Sequence, residues 1–359
     1  MNKKRIIQRL WYFFCWLAMV QFSLMKAFSR NELNSKAYKI GIAPSHVTAS
    51  PDSLLNNTSR WAFVANQIDF YKYYGVQLSN SSHFSSLNPK LLATFAKEEK
   101  ISLGCEFGDF HLSQNMTDRV VQTAFNQLDP VFQNGGMVDS LHLDGPIRRM
   151  LKGVQNHPDA LSLNEISSFL VNFWKKVKSR YPEIRIGLVT NLPNWDYTKK
   201  LHGWNGHYSD LSGVTYLQAL QAVYAALLEA GQKMDFLEID YPFNYYREVR
   251  TRKGDVEIHN AAKLSHIENW CLKHGIQFHL VVNAEPRKAG GKGFYDLTYE
   301  YVQRLHMDEI YPDSFIFQSW YKQPKEHLPE SKKYTFMNTS RDAISLLGEL
   351  YPRKSKASK

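Results

Sequence analysis

Met234–Pro242 reads M-D-F-L-E-I-D-Y-P. Phe236, Leu237 and Ile239 form a short apolar run of the kind that makes a buried strand. The period-two alternation of a strand then puts Glu238 and Asp240 on one side of it. Two carboxylates facing one way at a strand's C-terminal end make a poor core and a good active site. The pattern recurs elsewhere. Ser140–Asp144 (S-L-H-L-D) ends in Asp144, Gln277–Glu285 (Q-F-H-L-V-V-N-A-E) in Asn283 and Glu285, and Ile101–Glu106 (I-S-L-G-C-E) in Glu106. Apolar strands that each finish on a polar or acidic residue suit a parallel barrel whose active site lies on its C-terminal rim.

Outward from these stretches, strands and helices alternate along the chain. The patterning predicts strands at 39–43, 76–78, 101–105, 138–143, 184–190, 234–239, 276–282 and 314–318. A helix is predicted over 59–74, where Trp61, Val64, Ile68 and Tyr71 recur at helical spacing. Another opens at Asn88-Pro89, with Asn88 as N-cap and Pro89 at the first helical position. Further helices follow at 117–132, after Ser162, and at 215–230, 258–273, 295–308 and 341–350. Ser162 and Glu165 have the spacing of a capping box. Eight strand–helix pairs imply an α/β fold, a closed (β/α)8 TIM barrel as a single domain over residues 30–350. A doubly wound open sheet would want a Gly-rich phosphate loop after the first strand, and Gly41-Ile42-Ala43-Pro44-Ser45 is not one.

The formal net charge of +10 invites a nucleic-acid reading, but its distribution argues against one. Lys3, Lys4, Arg5, Arg9 and Lys26 lie in residues 1–29 without an acid. Arg353, Lys354, Lys356 and Lys359 lie in the tail, so nine of the ten charges sit at the chain ends. No basic patch for DNA and no RNA-binding motif is left in the body. Residues 1–29 read as a signal peptide or signal anchor. A basic start precedes the apolar run Leu10–Met25, which is shorter than the roughly 20 residues of a spanning helix, and Ala27-Phe28-Ser29 has the spacing of a cleavage site. Residues 351–359 read as a basic C-terminal tail. The expected location is secreted or periplasmic, with membrane contact only through an uncleaved Leu10–Met25 anchor. Cys105 and Cys271 are too few for a disulfide scaffold and are read as buried free thiols.

At the predicted strand ends stand His46, Asn80, Glu106, Asp144, Asn191, Asp240, Glu285 and Gln318, with Glu238 one inward position deeper than Asp240. Phe107, Trp195, Tyr241, Trp320 and Tyr321 are the neighbouring aromatics. Carboxylates among Trp, Tyr and amides suit a sugar, since flat rings stack on pyranose faces and acids and amides meet hydroxyls. Glycoside cleavage needs two carboxyl groups flanking the bond. A metal-dependent hydrolase on this fold would want His-x-His after the first strand and further His after the fifth and sixth. Here those strands offer His46, Asn191 and acids.

With those residues in place, the chain resembles the (β/α)8-barrel glycoside hydrolases over residues 38–350, in architecture and rim chemistry rather than in one family's signature. Glu285 is similar to the nucleophile position of the retaining clan typified by cellulases, although Leu143-Asp144-Gly145 stands where that clan has Asn-Glu. Asp144 and Asp240 look like the nucleophile and acid of α-galactosidase-type barrels. Asp235-x-x-Glu238-x-Asp240 resembles the D-x-x-D-x-D-x-E run of family 18 chitinases, with Pro242 in place of the last Glu. The resemblance implies hydrolysis of a polysaccharide or glycoconjugate by carboxylate acid–base catalysis, with no metal and no cofactor. Asp144, Asp240 and Glu285 then contain the catalytic pair, and Asp240, flanked by Ile239, Tyr241 and Pro242, is the acid. The substrate contacts are His46, Glu106, Asn191, Trp195, Glu238, Tyr241, Asn283, Gln318 and Trp320. The alternative is a catalytically inactive carbohydrate-binding barrel of the cell envelope. Three bland roles stay open: Glu238 as partner of an interior Lys or Arg, Glu106 as partner of Arg148 or Arg149, and Asp144 as cap of the next turn. His142 and His279 are read as core histidines. The oligomeric state is left open.

The N-terminal reading predicts that protein exported from its native host has an intact mass lacking residues 1–29. A mass that retains them identifies an anchor instead.

Overall fold

The structure is a computed structural model that describes residues 38–45, 48, 50–79, 85–110, 116–153, 157–192, 213–247, 260–286 and 289–351. The N-terminal segment 1–29, His46, Asn80, Trp195 and the tail beyond Tyr351 lie outside the described residues. Among the described residues, no helix is long and apolar enough to cross a membrane.

Eight strands close in sequence order into one barrel, as the alternation implied. They are β1 (Lys39–Ala43), β2 (Phe70–Tyr74), β3 (Ser102–Phe107), β4 (Ser140–Asp144), β5 (Arg185–Asn191), β6 (Phe236–Asp240), β7 (Gln277–Val282) and β8 (Ser314–Gln318). Every neighbouring pair is parallel, and β8 pairs with β1. The capping box forms as expected. Glu165 N donates to Ser162 Oγ (3.3 Å), and Ser162 N donates to Glu165 Oε2 (2.8 Å), opening the helix Leu163–Arg180.

One element departs from the sequence reading. Residues 59–74 are not a single helix. Helical structure ends at Gln67, β2 occupies Phe70–Tyr74, and Gly75–Gln77, expected as the strand, is a 3-10 turn. The run Phe70-Tyr71-Lys72-Tyr73-Tyr74 is aromatic and β-favouring, and that preference wins over the helical recurrence that reached Tyr71.

The base of the barrel carries a fourfold repeat. An aspartate stands immediately before each even-numbered strand, and its Oδ2 accepts the backbone N–H of the preceding odd strand. The contacts are Ile40 N to Asp69 (2.8 Å), Leu103 N to Asp139 (3.1 Å), Ile186 N to Asp235 (2.9 Å) and Phe278 N to Asp313 (2.8 Å). Each aspartate's own N–H donates back to the carbonyl of residue 40, 103, 186 or 278. The eight strands are thus tied as four equivalent pairs at the end away from the rim.

Period two sorts each strand into an outward and an inward set. Leu103, Cys105, Leu141, Leu143, Leu237, Ile239, Tyr241, Leu280 and Val282 face the helices and join one large apolar core. Cys105 and Cys271 are buried free thiols, as read from the sequence. Inward, the lowest layer is aromatic: His142 lies 4.5 Å from Phe236, which stacks on His279 at 4.6 Å. Glycines make room for it. A Cβ on Gly41 would come within 2.2 Å of the Phe70 ring, and one on Gly187 within 2.3 Å of Phe236's ring and carbonyl. Large rings opposite glycines fill the barrel without voids.

The fourfold repeat predicts that Asp69→Ala, Asp139→Ala, Asp235→Ala and Asp313→Ala each destabilise the fold by a similar amount, about 1–2 kcal/mol, by orphaning one strand N–H. Urea unfolding of the four variants checks this. A spread with one large and three negligible values would show that the ties are not equivalent.

Candidate active site

Above the aromatic layer the barrel interior is charged. Lys72, on β2, is fully buried, and its Nζ lies 2.6 Å from Glu106 Oε2 on β3 and 2.6 Å from Glu238 Oε1 on β6. The second Glu238 oxygen lies 2.6 Å from His142 Nδ1 on β4, and His142 Nε2 lies 2.9 Å from Ser140 Oγ. Burial holds His142 below its ordinary pKa, so the ring is neutral. The contacts then fix one tautomer: Nδ1–H donates to Glu238, and Nε2 accepts from the Ser140 hydroxyl. Burial alone would raise the Glu238 carboxyl, but Lys72 and His142 together override it and hold it well below the carboxylate range. Lys72 is held protonated against its own burial by the two glutamates. Glu106 goes the other way. Desolvation, reinforced by Asp144 and Glu238, outweighs Lys72 and pushes its carboxyl up to about 8.

Among the described residues, His142, Glu238 and His279 form the one cluster with metal-ligand spacing, their ligating atoms lying within 4.8 Å of one another. An ion there would have to displace the Lys72 ammonium from Glu238 and the His142 N–H from the same carboxylate. The Glu238 carboxylate is therefore already compensated by protein groups, while both ring nitrogens of His279 are without a hydrogen-bond partner among the described residues.

The mouth lies one inward position higher. Asp240, at the end of β6, accepts a 2.9 Å hydrogen bond from Asn191 Nδ2 through Oδ2, while its buried Oδ1 has no partner. Burial, with smaller contributions from Asp144 and Glu238, pushes its carboxyl up to about 6. Asp144, at the end of β4, is in a different setting. It pairs with the exposed guanidinium of Arg149, whose Nε also donates to the Asp144 carbonyl at 3.0 Å. Glu285 is half-buried beyond β7, its N–H donating to Asn244 Oδ1 at 3.0 Å. Tyr321 lies near both Asp240 and Glu285. Burial first, then those carboxylates, raise its hydroxyl above the ordinary tyrosine range. Trp320 packs edge-on against Tyr74, ring centroids 5.1 Å apart.

The predicted site residues divide accordingly. Asp144 and Asp240 come together, with Asn191 and Glu106 beside them. Glu285 stands next along the rim, beyond β7. Asn283 and Gln318 are buried inward at the ends of β7 and β8, and Trp320 is at the edge. Two readings need correction. Glu238 is not a substrate contact, because it is wholly buried and Lys72 and His142 take both its oxygens. Tyr241 points outward into the core, where its ring meets Tyr246, because it follows inward-facing Asp240 by one residue. Glu106 pairs with Lys72, not with Arg148 or Arg149. Arg149 instead belongs to Asp144. His46 and Trp195 lie outside the described residues. Lys72, Tyr74, Arg149 and Asn244 were missed. Lys72 and Tyr74 were hidden by reading β2 as helix, although four strand-favouring aromatics among the five residues before Gly75 were a usable signal.

Fold and mouth together define an eight-stranded (β/α)8 barrel whose polar rim gathers carboxylates, amides and aromatics. No family model matches the sequence, and no curated protein matches it. Solved structures do. A family 39 glycoside hydrolase from the gut symbiont Bacteroides cellulosilyticus WH2 is similar with a TM-score of 0.51 at 9% identity, over 88% of this chain and 65% of that one. A sugar phosphate isomerase/epimerase from Parabacteroides distasonis ATCC 8503 gives 0.44 at 7%, over 87% and 94%. A phospho-2-dehydro-3-deoxyheptonate aldolase from Thermotoga maritima gives 0.43 at 11%, over 88% and 72%. At these identities the likeness shows the barrel and nothing finer.

The Glu106 carboxyl, at about 8 in the fold against 4.5 unfolded, keeps a proton that the unfolded chain releases. Stability therefore falls as pH rises from about 4.5 to about 8. Glu238 has the opposite sign, and its contribution is lost as pH falls below its unfolded value of 4.5. Urea unfolding between these limits should show wild type weakening toward pH 8, and Glu106→Gln should flatten that slope. An unchanged slope in the variant would remove Glu106 as its source.

Proposed function

We propose that this barrel is a metal-independent glycoside hydrolase in which Asp240 is the general acid and Asp144 the ionised partner. One observation carries the reading: two neighbouring carboxyl groups at the mouth sit in opposed environments. Asp240 is buried, with one oxygen unpartnered and a carboxyl raised to about 6. Asp144 is more open, and its carboxylate pairs with the exposed Arg149 guanidinium. Two carboxyls at one mouth, one buried and one paired with an arginine, are the parts that glycoside cleavage requires.

In this scheme Asp240 gives its proton to the glycosidic oxygen as the bond to the anomeric carbon breaks. The positive charge that develops at that carbon faces the Asp144 carboxylate. Asp144 either attacks the carbon, forming a glycosyl-enzyme ester that water later cleaves, or takes a proton from the attacking water. The anomer first released, read by NMR, separates the two routes. Glu285 is the other carboxylate on the same rim, and Glu285→Gln tests whether it replaces Asp144 as partner. Asn191 steadies the charged form of Asp240, so its bond acts against burial and sets how far the acid is raised. The substrate class is a polysaccharide or glycoconjugate, and the location is secreted or periplasmic.

The alternative is a sugar-binding barrel without turnover. The Arg149–Asp144 ion pair favours it, since an engaged carboxylate is a poorer nucleophile or base.

A screen of aryl glycosides and envelope polysaccharides, with and without chelator, should find one cleaved class, insensitive to chelation. Asp240→Asn should lose roughly 10²–10⁴ in rate while keeping its unfolding curve. Wild-type kcat/KM should fall above pH about 6 as Asp240 loses its proton. Asn191→Ala should move that limb upward, because it removes a bond to the charged form. Tight binding with no product after days of incubation supports the non-catalytic alternative, and activity abolished by chelator overturns the metal-independent scheme.

A further inference from the structure

The ends of β6, β7 and β8 place three inward-facing polar residues side by side. Outward-facing Val282 and Ala284 bracket Asn283, and outward Phe317 precedes Gln318, so period two turns both amides into the barrel mouth beside Asp240. Asn283 is 0% exposed and Gln318 1%. Among the described residues, Asn283 Oδ1 and Nδ2, Gln318 Oε1 and Asp240 Oδ1 are buried without a hydrogen-bond partner, and Asn244 Nδ2 next to them shares that state. Native folds pair buried polar atoms almost without exception. Five such atoms gathered at the mouth, beyond the ends of β6, β7 and β8, mark a place built for a ligand. Just below, Lys72, Glu238 and His142 are instead engaged with one another.

The atoms also state what the ligand offers. Two are acceptors, Asn283 Oδ1 and Gln318 Oε1, two are amide donors, Asn283 Nδ2 and Asn244 Nδ2, and Asp240 Oδ1 donates while it carries the proton and accepts once ionised. Exchanging oxygen and nitrogen in Asn283 leaves this balance unchanged, since both of its atoms are unpartnered. A ligand group that only accepts, such as a phosphate, would meet two acceptors, and a third when Asp240 is ionised. Neighbouring hydroxyls on a sugar ring both give and take and so match the set. The nearest buried ammonium, Lys72, is already held between two carboxylates and leaves no net positive charge for an anion. Trp320, half-buried and two residues beyond Gln318, supplies an aromatic wall at the same edge.

We propose that Asp240, Asn283 and Gln318, with Asn244, form the floor of a subsite for a single neutral sugar ring, held through adjacent hydroxyls. This deepens the glycosidase reading by naming what sits beside the acid, and it stands or falls by binding rather than by turnover.

The test uses Asn283→Leu and Gln318→Met in the full chain. Both substitutions remove an orphaned amide and keep the side-chain volume close. Calorimetric titrations employ glucose, galactose, mannose, xylose and fucose at millimolar levels, with glucose 6-phosphate as the charged arm. Wild type should bind at least one neutral sugar more tightly than the phosphate ester. Each variant should weaken that binding at least about tenfold. Because the amides serve the ligand and not the fold, Tm should stay level or rise by ~2–6 °C. A structural role predicts the reverse, a clear fall in Tm with binding kept, and that result overturns the proposal. So does preference for the phosphate ester, or the absence of binding by any neutral sugar. If Asn283→Leu fails to fold, Gln318→Met and Asn283→Ala decide by the same two readouts. Hydrolysis of an aryl glycoside at unchanged kcat/KM in both variants would sink this subsite and leave the glycosidase reading standing. Sugar binding that depends on Asn283 without any turnover would do the opposite.

Discussion

A lysine ammonium held between two glutamates at the centre of a closed barrel is the interaction on which the rest of this site depends. Lys72 has no access to water, and neither has Glu238. Ions taken out of water are costly unless they are paired with good geometry, and removing one partner of such a set costs roughly 3–5 kcal/mol. Here β2, β3 and β6 must stay in register for the three groups to meet. The consequences spread outward from that point. Glu238 fixes the tautomer of His142, His142 orders Ser140, and the aromatic layer below stacks on the same imidazole. Lys72 can bring only one of its glutamates to full charge, so Glu106 remains the carboxyl that resists ionisation.

That same electrostatic economy shapes the mouth. Asp240 sits above the buried charges and is raised chiefly because it is desolvated, while Asp144 is drawn toward solvent by Arg149. The difference between the two acids does not come from their residue type. It comes from which strand end is buried and which carries an arginine five residues later. A lysine nucleophile of the kind that forms imines needs a neutral amine, and Lys72 is held protonated. Lys72 therefore serves the ion pairing at the centre of the barrel. The four aspartates at the opposite end do a separate task. They tie strands in pairs by backbone hydrogen bonds and do not approach the mouth. Stability and candidate chemistry are thus built at opposite ends of the same strands.

Much of this was legible in the chain itself. Alternation of apolar strands with amphipathic helices is a local signal, repeated eight times, and it determined the barrel. Period two determined that Asp144, Asp240, Asn283 and Gln318 would face inward, and two isolated cysteines determined free thiols. The same period, applied one residue further, would have turned Tyr241 outward. What only the tertiary structure decided was which inward groups compensate one another. Lys72 and Glu238 are 166 positions apart in the chain, and nothing near either residue announces the other. Their pairing exists because eight strands close into a ring and bring β2 across from β6. That closure takes Glu238 out of the candidate site, and it leaves Asp240 and the two amides above it with polar atoms unspent. Periodicity is a property of a few consecutive residues, whereas charge compensation is a property of the closed barrel.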